Sequence, residues 1–120
     1  FEGQVILTGY QSAVHDFYAA SDVVVHNSTT PEPFGRVVIE GMASGRPVVA
    51  MDEGGPVDII THDVDGLLVE PRNPAPLAHA LERLHGDPEL RTRLAENGLK
   101  TVAKNHNNIV IAERVLNLYP

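Results

Sequence analysis

The chain has 120 residues and no cysteine. A disulfide framework and a thiolate metal site are therefore both excluded. Basic residues are scarce: 9 Lys and Arg face 16 Asp and Glu, for a formal net charge of -7. Non-specific nucleic-acid binding relies on basic patches, so this balance argues against a nucleic-acid partner. It leaves room for an anionic ligand, because a helix N-terminus binds phosphate without any Lys or Arg. No apolar stretch approaches the roughly 20 residues that a transmembrane helix needs, and no signal peptide is visible. The chain starts at Phe1 rather than Met and is expected to be a piece of a longer protein. The six His, at positions 15, 26, 62, 79, 85 and 106, include no pair at metal-ligand spacing on one helix face. No metal or cofactor is expected. No Gly-x-Ser-x-Gly elbow surrounds Ser28, Thr29 and Thr30, which removes a serine hydrolase.

What is present is ordinary for a globular protein, 42% hydrophobic and 21% charged, with enough chain for one core. Residues 1–120 read as one domain without repeats or an internal linker. Strand and helix alternate. Val5 to Thr8 is a short apolar run ended by Gly9, a first strand. Ser12 to Ala20 reads as a helix, with Ser12 as its cap and Val14, Phe17 and Tyr18 at helical spacing. Asp22 to His26 is continuous and β-branched, which suits a parallel strand covered on both faces. Ser28 to Pro33 is a loop. A helix follows from about Gly35 to Ser44, with Phe34, Val38 and Met42 on one stripe and Gly45 as its stop. Pro47 to Met51 is a third strand, Gly54-Gly55-Pro56 breaks it, Val57 to Thr61 is a short helix, and Gly66 to Val69 is a fourth strand.

From Pro74 the pattern is helical only. Leu77, Ala80, Leu81 and Leu84 form one stripe. Asp87 caps the next helix, with Pro88 at its first position and Leu90, Leu94, Leu99 and Val102 as its apolar residues. Arg91, Arg93, Glu96 and Lys100 read as an exposed face. Ile109 to Leu118 reads as a last helix. The βαβα order predicts an α/β fold, a parallel sheet with helices on both faces that ends in a helical segment.

One segment combines chemistry with position. Glu32 and Glu40 flank the junction Pro33-Phe34-Gly35, where a loop enters a helix. The helix N-terminus offers free N–H groups and a partial positive charge, a site for a diphosphate. Gly35 lacks a Cβ, so a ligand can approach the backbone there. Neither carboxylate suits phosphate. Each is an acceptor-only group that suits a pair of hydroxyls, and a nucleotide sugar carries hydroxyls at both ends. On residue types alone, Glu32 also fits a solvated loop residue and Glu40 an exposed helix residue. Against that, Glu40 lies among Val37, Val38, Ile39, Met42 and Ala43, where an unpaired carboxylate is costly. Arg36 either touches phosphate or is solvated, and Gly54-Gly55 either admits a ligand to the backbone or is a plain turn. His26 ends a central strand on the edge where ligands bind, and a loop hydrogen bond is its simpler role.

Ser28 to Ala50 resembles the C-terminal domain of the family 4 retaining glycosyltransferases, which have the GT-B fold. Glu32 and Glu40 match that family's two-glutamate motif with seven residues between, and Pro33-Phe34-Gly35 matches its interior. The likeness continues through Gly45-Arg46-Pro47-Val48-Val49-Ala50, Gly54-Gly55, Gly66-Leu67-Leu68-Val69 and Asp87-Pro88-Glu89-Leu90. It implies a Rossmann-like sheet, cut at its N-terminal side, that binds a nucleoside-diphosphate sugar. Glu32, nearest the reacting sugar, becomes the catalytic candidate. Phe34, Gly35, Arg36 and Val37, with Gly54 and Gly55, would hold sugar and diphosphate, and Glu40 would hold the ribose. The parent would transfer a glycosyl group to a hydroxyl with retention and without a bound metal.

Gly41 stands where that family usually has Ala, and Asp58 where Glu is commoner, so no role is carried onto Asp58. The acceptor-binding N-terminal domain is missing, so this piece alone is expected to be inactive and, with an open sheet edge, to self-associate. The parent is expected in the cytoplasm, with peripheral membrane contact through the missing half as a variant of that placement. The competing readings are a GT-B nucleotide-sugar epimerase and a non-catalytic nucleotide-binding module.

Overall fold

The structure is a computed structural model and describes residues 3–107. In chain order its elements are α1 (Val14–Ala20), β1 (Val24–His26), α2 (Arg36–Ala43), β2 (Val48–Met51), α3 (Gly55–Ile59), β3 (Leu67–Val69), α4 (Pro74–Gly86) and α5 (Pro88–Asn105). The strands form one parallel sheet in the order β1–β2–β3, with Val24 opposite Val48 and Ala50 opposite Leu68. Parallel neighbours need crossovers, and α2 and α3 supply them.

All four residues of β2 are buried, as a continuous apolar strand between two helical layers should be. Its side chains alternate between two cores. Val48 and Ala50 join Val24, Val38 and Met42 of α2, and Ile59 of α3. Val49 and Met51 join Leu67 and Val69 of β3, Ala80 and Leu84 of α4, and Leu90 and Leu94 of α5. Helices thus cover both faces, as the βαβα order predicts.

The long helix α5 ties the two layers together. Leu90 and Leu94 belong to one core and Val102 to the other. Between them α5 passes the N-terminal ends of the strands, where Arg91 and Leu99 share a cavity with Asp22 and Pro47. Gly98 permits the crossing with α2: a Cβ there would stand 3.1 Å from the Asp65 carbonyl oxygen and 3.3 Å from Met42 Cγ. At the opposite, C-terminal ends of the strands gather the loops that lead into α2, α3 and α4.

Caps follow the sequence closely in the second half. Asp87 Oδ1 accepts the Leu90 N–H at 2.9 Å, with Pro88 as the first residue of α5. Gly45, at φ +69°, ends α2 as expected. One polar stripe of α5 then fixes the loop before β3. Arg93 donates to the Asp63 carbonyl at 2.7 Å, Asn97 to the Val64 carbonyl at 2.8 Å, and the Thr101 hydroxyl to Asp65 Oδ2 at 2.7 Å. Asp65 is only 5% exposed, and its Oδ1 accepts the Thr61 N–H at 2.7 Å. Arg91 donates to the carbonyls of Leu84 and His85. Arg91 and Arg93 are therefore bound to backbone, not simply solvated.

Several expectations change. Val5 to Thr8 forms no strand, and Val5, Ile6 and Leu7 are 66–93% exposed. A run of apolar residues becomes a strand only against a partner, and none of the three strands pairs with it. The described sheet has three strands, not four. Helix α1 starts at Val14 behind Ala13, so Ser12 is not its cap, and only Tyr18 is buried in it. Phe34 precedes α2 and is 78% exposed, so it does not share the buried stripe of Val38 and Met42. Helix α3 takes in Gly55 and Pro56, two residues expected to lie before it. Leu99 is exposed, and Gly98 takes the buried place. The expected helix at Ile109 to Leu118 lies outside the described residues. Among the described residues no helix is long and apolar enough to cross a membrane.

Candidate functional site

Three loops meet at the C-terminal edge of the sheet, the edge where open α/β sheets bind ligands. They follow β1, β2 and β3. The loop after β1 carries Glu32, Pro33, Phe34 and Gly35 into α2, and the turn after β2 carries Gly54 and Gly55 into α3. The two lie backbone against backbone. The Gly55 N–H donates to the Glu32 carbonyl at 2.5 Å. A Cβ on Gly55 would stand 2.7 Å from both Gly35 N and Phe34 C, and one on Gly54 would stand 2.6 Å from Glu32 O. Side chains at either position would push the loops apart. The glycine pair is thus neither a plain turn nor mere open space for a ligand. It is the seat on which the Glu32–Gly35 segment rests.

Gly35 adopts φ +65°, a left-handed conformation that glycine takes without cost. It turns the chain into α2. The first bond closing the helix runs from the Ile39 N–H to the Gly35 carbonyl at 3.1 Å. The N–H groups of Arg36, Val37 and Val38 precede that bond and face the open end. A Cβ on Gly35 would meet Ile59 Cδ1 at 2.5 Å, so the glycine serves close packing there. The third loop locks the arrangement. Arg72 grips Glu53 with two hydrogen bonds, of 2.8 and 3.2 Å, and reaches the Thr29 carbonyl at 3.4 Å. That pairing holds the Glu53 carboxyl below its ordinary pKa.

The two glutamates have different surroundings. Glu32 is half-buried, and its carboxylate makes no hydrogen bond or ion pair among the described residues. Glu40 is also half-buried, but both its oxygens are engaged. The Tyr18 hydroxyl donates to Oε2 at 3.0 Å, and Arg36 Nε donates to Oε1 at 2.7 Å. The partner that the apolar surroundings of Glu40 call for is therefore supplied by the chain itself. Arg36 is held one turn back along the same helix, with its side chain 85% exposed. Burial first, and then the Glu40 hydrogen bond, push the Tyr18 phenol up to about 12. The carboxylate likewise holds the Arg36 guanidinium above its ordinary pKa. Tyr18, Arg36 and Glu40 line a cavity of about 420 Å³ between α1 and α2, together with Ser12 and His15.

Of the residues singled out from sequence, the fold brings Glu32, Phe34, Gly35, Gly54 and Gly55 into one backbone cluster. It places Arg36, Val37 and Glu40 on the helix that leaves it. Val37 is half-buried against the core, so its backbone rather than its side chain is available to a ligand. His26 ends β1 with its Nδ1 buried and without a hydrogen-bond partner among the described residues. Tyr18 was visible in sequence only as an apolar helix residue. Its polar role depends on packing against a residue 22 positions away. Arg72 and Glu53 carried no sequence signal, because only the sheet brings them together.

The chain matches the family model described as glycosyl transferases group 1 over residues 1–101. It is 36% identical over 116 residues to the lipopolysaccharide core biosynthesis glycosyltransferase LpsD of Rhizobium meliloti, covering 97% of this chain and 34% of LpsD. Its structure superposes on Anabaena Alr3699/HepE solved in complex with UDP, with a TM-score of 0.94 and 32% identity, over 98% of this chain and 32% of that one. The same Anabaena protein has been solved with UDP-glucose. The C-terminal domain of LpcC, a glycosyl transferase group 1 protein from Francisella tularensis, superposes with a TM-score of 0.77 and 33% identity, over 87% of this chain and 53% of that one. The chain spans about a third of the length of LpsD and 9% of that of the sucrose-phosphate synthase of Spinacia oleracea, to which it is also similar. On its sequence match, its three-stranded parallel sheet and its helix order, the chain belongs to the group 1 glycosyl transferases and has the fold of their C-terminal GT-B domain.

Proposed function

We propose that this chain is the donor-binding half of a retaining, family 4 type glycosyltransferase. The whole protein would transfer a glycosyl group from a nucleoside-diphosphate sugar to a hydroxyl acceptor. The observation that carries this reading is the backbone cluster at the sheet edge. It aims the open end of α2 into the loops and sets beside it Glu32, whose carboxylate has no hydrogen-bond or ion-pair partner among the described residues. The N–H groups of Arg36, Val37 and Val38 take the diphosphate. Glu32 faces the transferred sugar and accepts from its hydroxyls, and Glu40 accepts from the ribose. Gly54 and Gly55 act by holding the Glu32–Gly35 backbone in place, with Phe34 exposed at its tip. Orientation of the donor and stabilisation of charge on the departing diphosphate are then the protein's main contributions to rate. The acceptor is held by the other half of the enzyme, which under this reading works in the cytoplasm and makes any membrane contact itself.

The test is calorimetry on the full-length protein with UDP-, GDP- and ADP-sugars, uridine donors first because Anabaena HepE was solved with UDP-glucose. Glu40→Ala is expected to weaken every donor that carries a ribose, by roughly ten- to a hundredfold for a lost charged hydrogen-bonding group. Unchanged affinity for all three donors would remove Glu40 from the site.

A further inference from the structure

We propose that Tyr18 is a positioning residue that presets the Glu40 carboxylate for a vicinal diol. This rests on the reading of Glu40 as a donor-binding residue. The two known anchors of that carboxylate differ in quality. Arg36 reaches Oε1 from an almost fully exposed side chain on the same helix, and exposed pairs of this kind hold weakly. Tyr18, a residue only 9% exposed, reaches Oε2 from a different helix, packed in the same core as Val38 and Met42. It is the fixed anchor, and it sets the rotamer of Glu40 from across the α1–α2 cavity.

The geometry also defines what the carboxylate can still take. An ionised carboxylate offers about four acceptor positions on two oxygens. Tyr18 occupies one on Oε2 and Arg36 one on Oε1. Each oxygen keeps one position, so Glu40 can still accept a pair of hydrogen bonds, one on each oxygen. Two adjacent hydroxyl donors, as on a ribose, fit that pair. Because both Tyr18 and Arg36 donate, the carboxylate stays an acceptor and the ligand must bring the protons.

The experiment measures dissociation constants of UDP, GDP and ADP, each beside its 2′,3′-dideoxy form, on the full-length protein and its Tyr18→Phe variant. The readout is the ratio of dideoxy to ribo dissociation constants for the nucleotide bound most tightly. Tyr18→Phe is expected to lower this ratio about three- to tenfold, while affinity for the dideoxy form stays unchanged. A merely structural tyrosine would weaken both forms together and leave the ratio as it was, which would overturn the proposal. Tyr18→Met also lacks the hydroxyl and fills the space with an adaptable chain; it replaces Tyr18→Phe if that variant does not fold. Glu40→Gln separates the two levels. A ratio that falls for Glu40→Gln but not for Tyr18→Phe defeats only the role of Tyr18. A ratio unmoved by Glu40→Gln, or no binding of any of the three nucleotides, defeats the reading of Glu40 and this proposal with it.

Discussion

Gly55 shows how much a single missing methyl group decides. A Cβ there would lie 2.7 Å from two backbone atoms of the Glu32–Gly35 segment, and backbone cannot swing aside. Gly55→Ala is expected to lower stability by about 1–3 kcal/mol through overpacking, read as a fall in the urea midpoint. Gly35→Ala would crowd the buried Ile59 side chain at 2.5 Å and adds left-handed strain of about 1–2 kcal/mol. Tyr18 supplies a pH effect with a definite sign. Its folded phenol titrates at about 12, above the roughly 10 of an unfolded tyrosine. Between those values the unfolded chain has lost the proton and the folded chain keeps it, so stability falls as pH rises. The contribution is complete below about pH 10 and disappears as pH passes the folded value. Alkaline unfolding should therefore destabilise the wild-type chain more than Tyr18→Phe across that window. Equal slopes for the two proteins would contradict it.

Among the elements, α5 has the widest reach. Its apolar residues serve both cores, and its polar stripe Arg93, Asn97 and Thr101 holds the loop that leads into β3. Four-residue spacing places those three side chains on one face, so a regular helix acts as a clamp on an irregular loop. Asp65 is the buried end of that clamp. Thr101→Val would leave Asp65 Oδ2 without its donor, at an expected cost of about 1–3 kcal/mol. Chemical denaturation of the two proteins side by side measures it, and a variant as stable as the wild type would refute the clamp. Element α2 teaches a different lesson. Its start at Gly35 and stop at Gly45 are local chemistry, and both were legible in sequence. The strand expected at Val5 to Thr8 was not local in that sense. Its residues have the right apolar character, but a strand is a pairing relation, and none of β1, β2 and β3 takes it as a partner.

In the whole molecule, α5 takes the N-terminal edge of the sheet, and the loops that lead into the other helices take the C-terminal edge. Passage of α5 past the N-terminal strand ends leaves the C-terminal ends to the three loops, so site and clamp occupy opposite edges. The sheet is also open sideways. Among the described residues the outer edges of β1 and β3 have no strand partner, and unpaired edges invite pairing with another chain. The 120-residue chain is expected to self-associate as its concentration rises, read by sedimentation velocity. A single monomeric species throughout would count against an available edge.

Legible along the chain were the parallel α/β class, both ends of α2 and the starts of α4 and α5 within a few residues, and the positions of Glu32 and Glu40 about a helix start. These follow from periodicity, caps and glycines, which act over a few residues along the chain. Packing across the fold makes Gly54 and Gly55 seat the Glu32 loop, holds Glu40 by Tyr18 and Arg36 while Glu32 has no side-chain partner among the described residues, and lets Arg72 tie three loops together. Those contacts join residues roughly twenty or more positions apart in all but the Arg36–Glu40 pair. No local rule specifies such neighbours, because they are set by which strands lie side by side and by what fills the space between the helices above them.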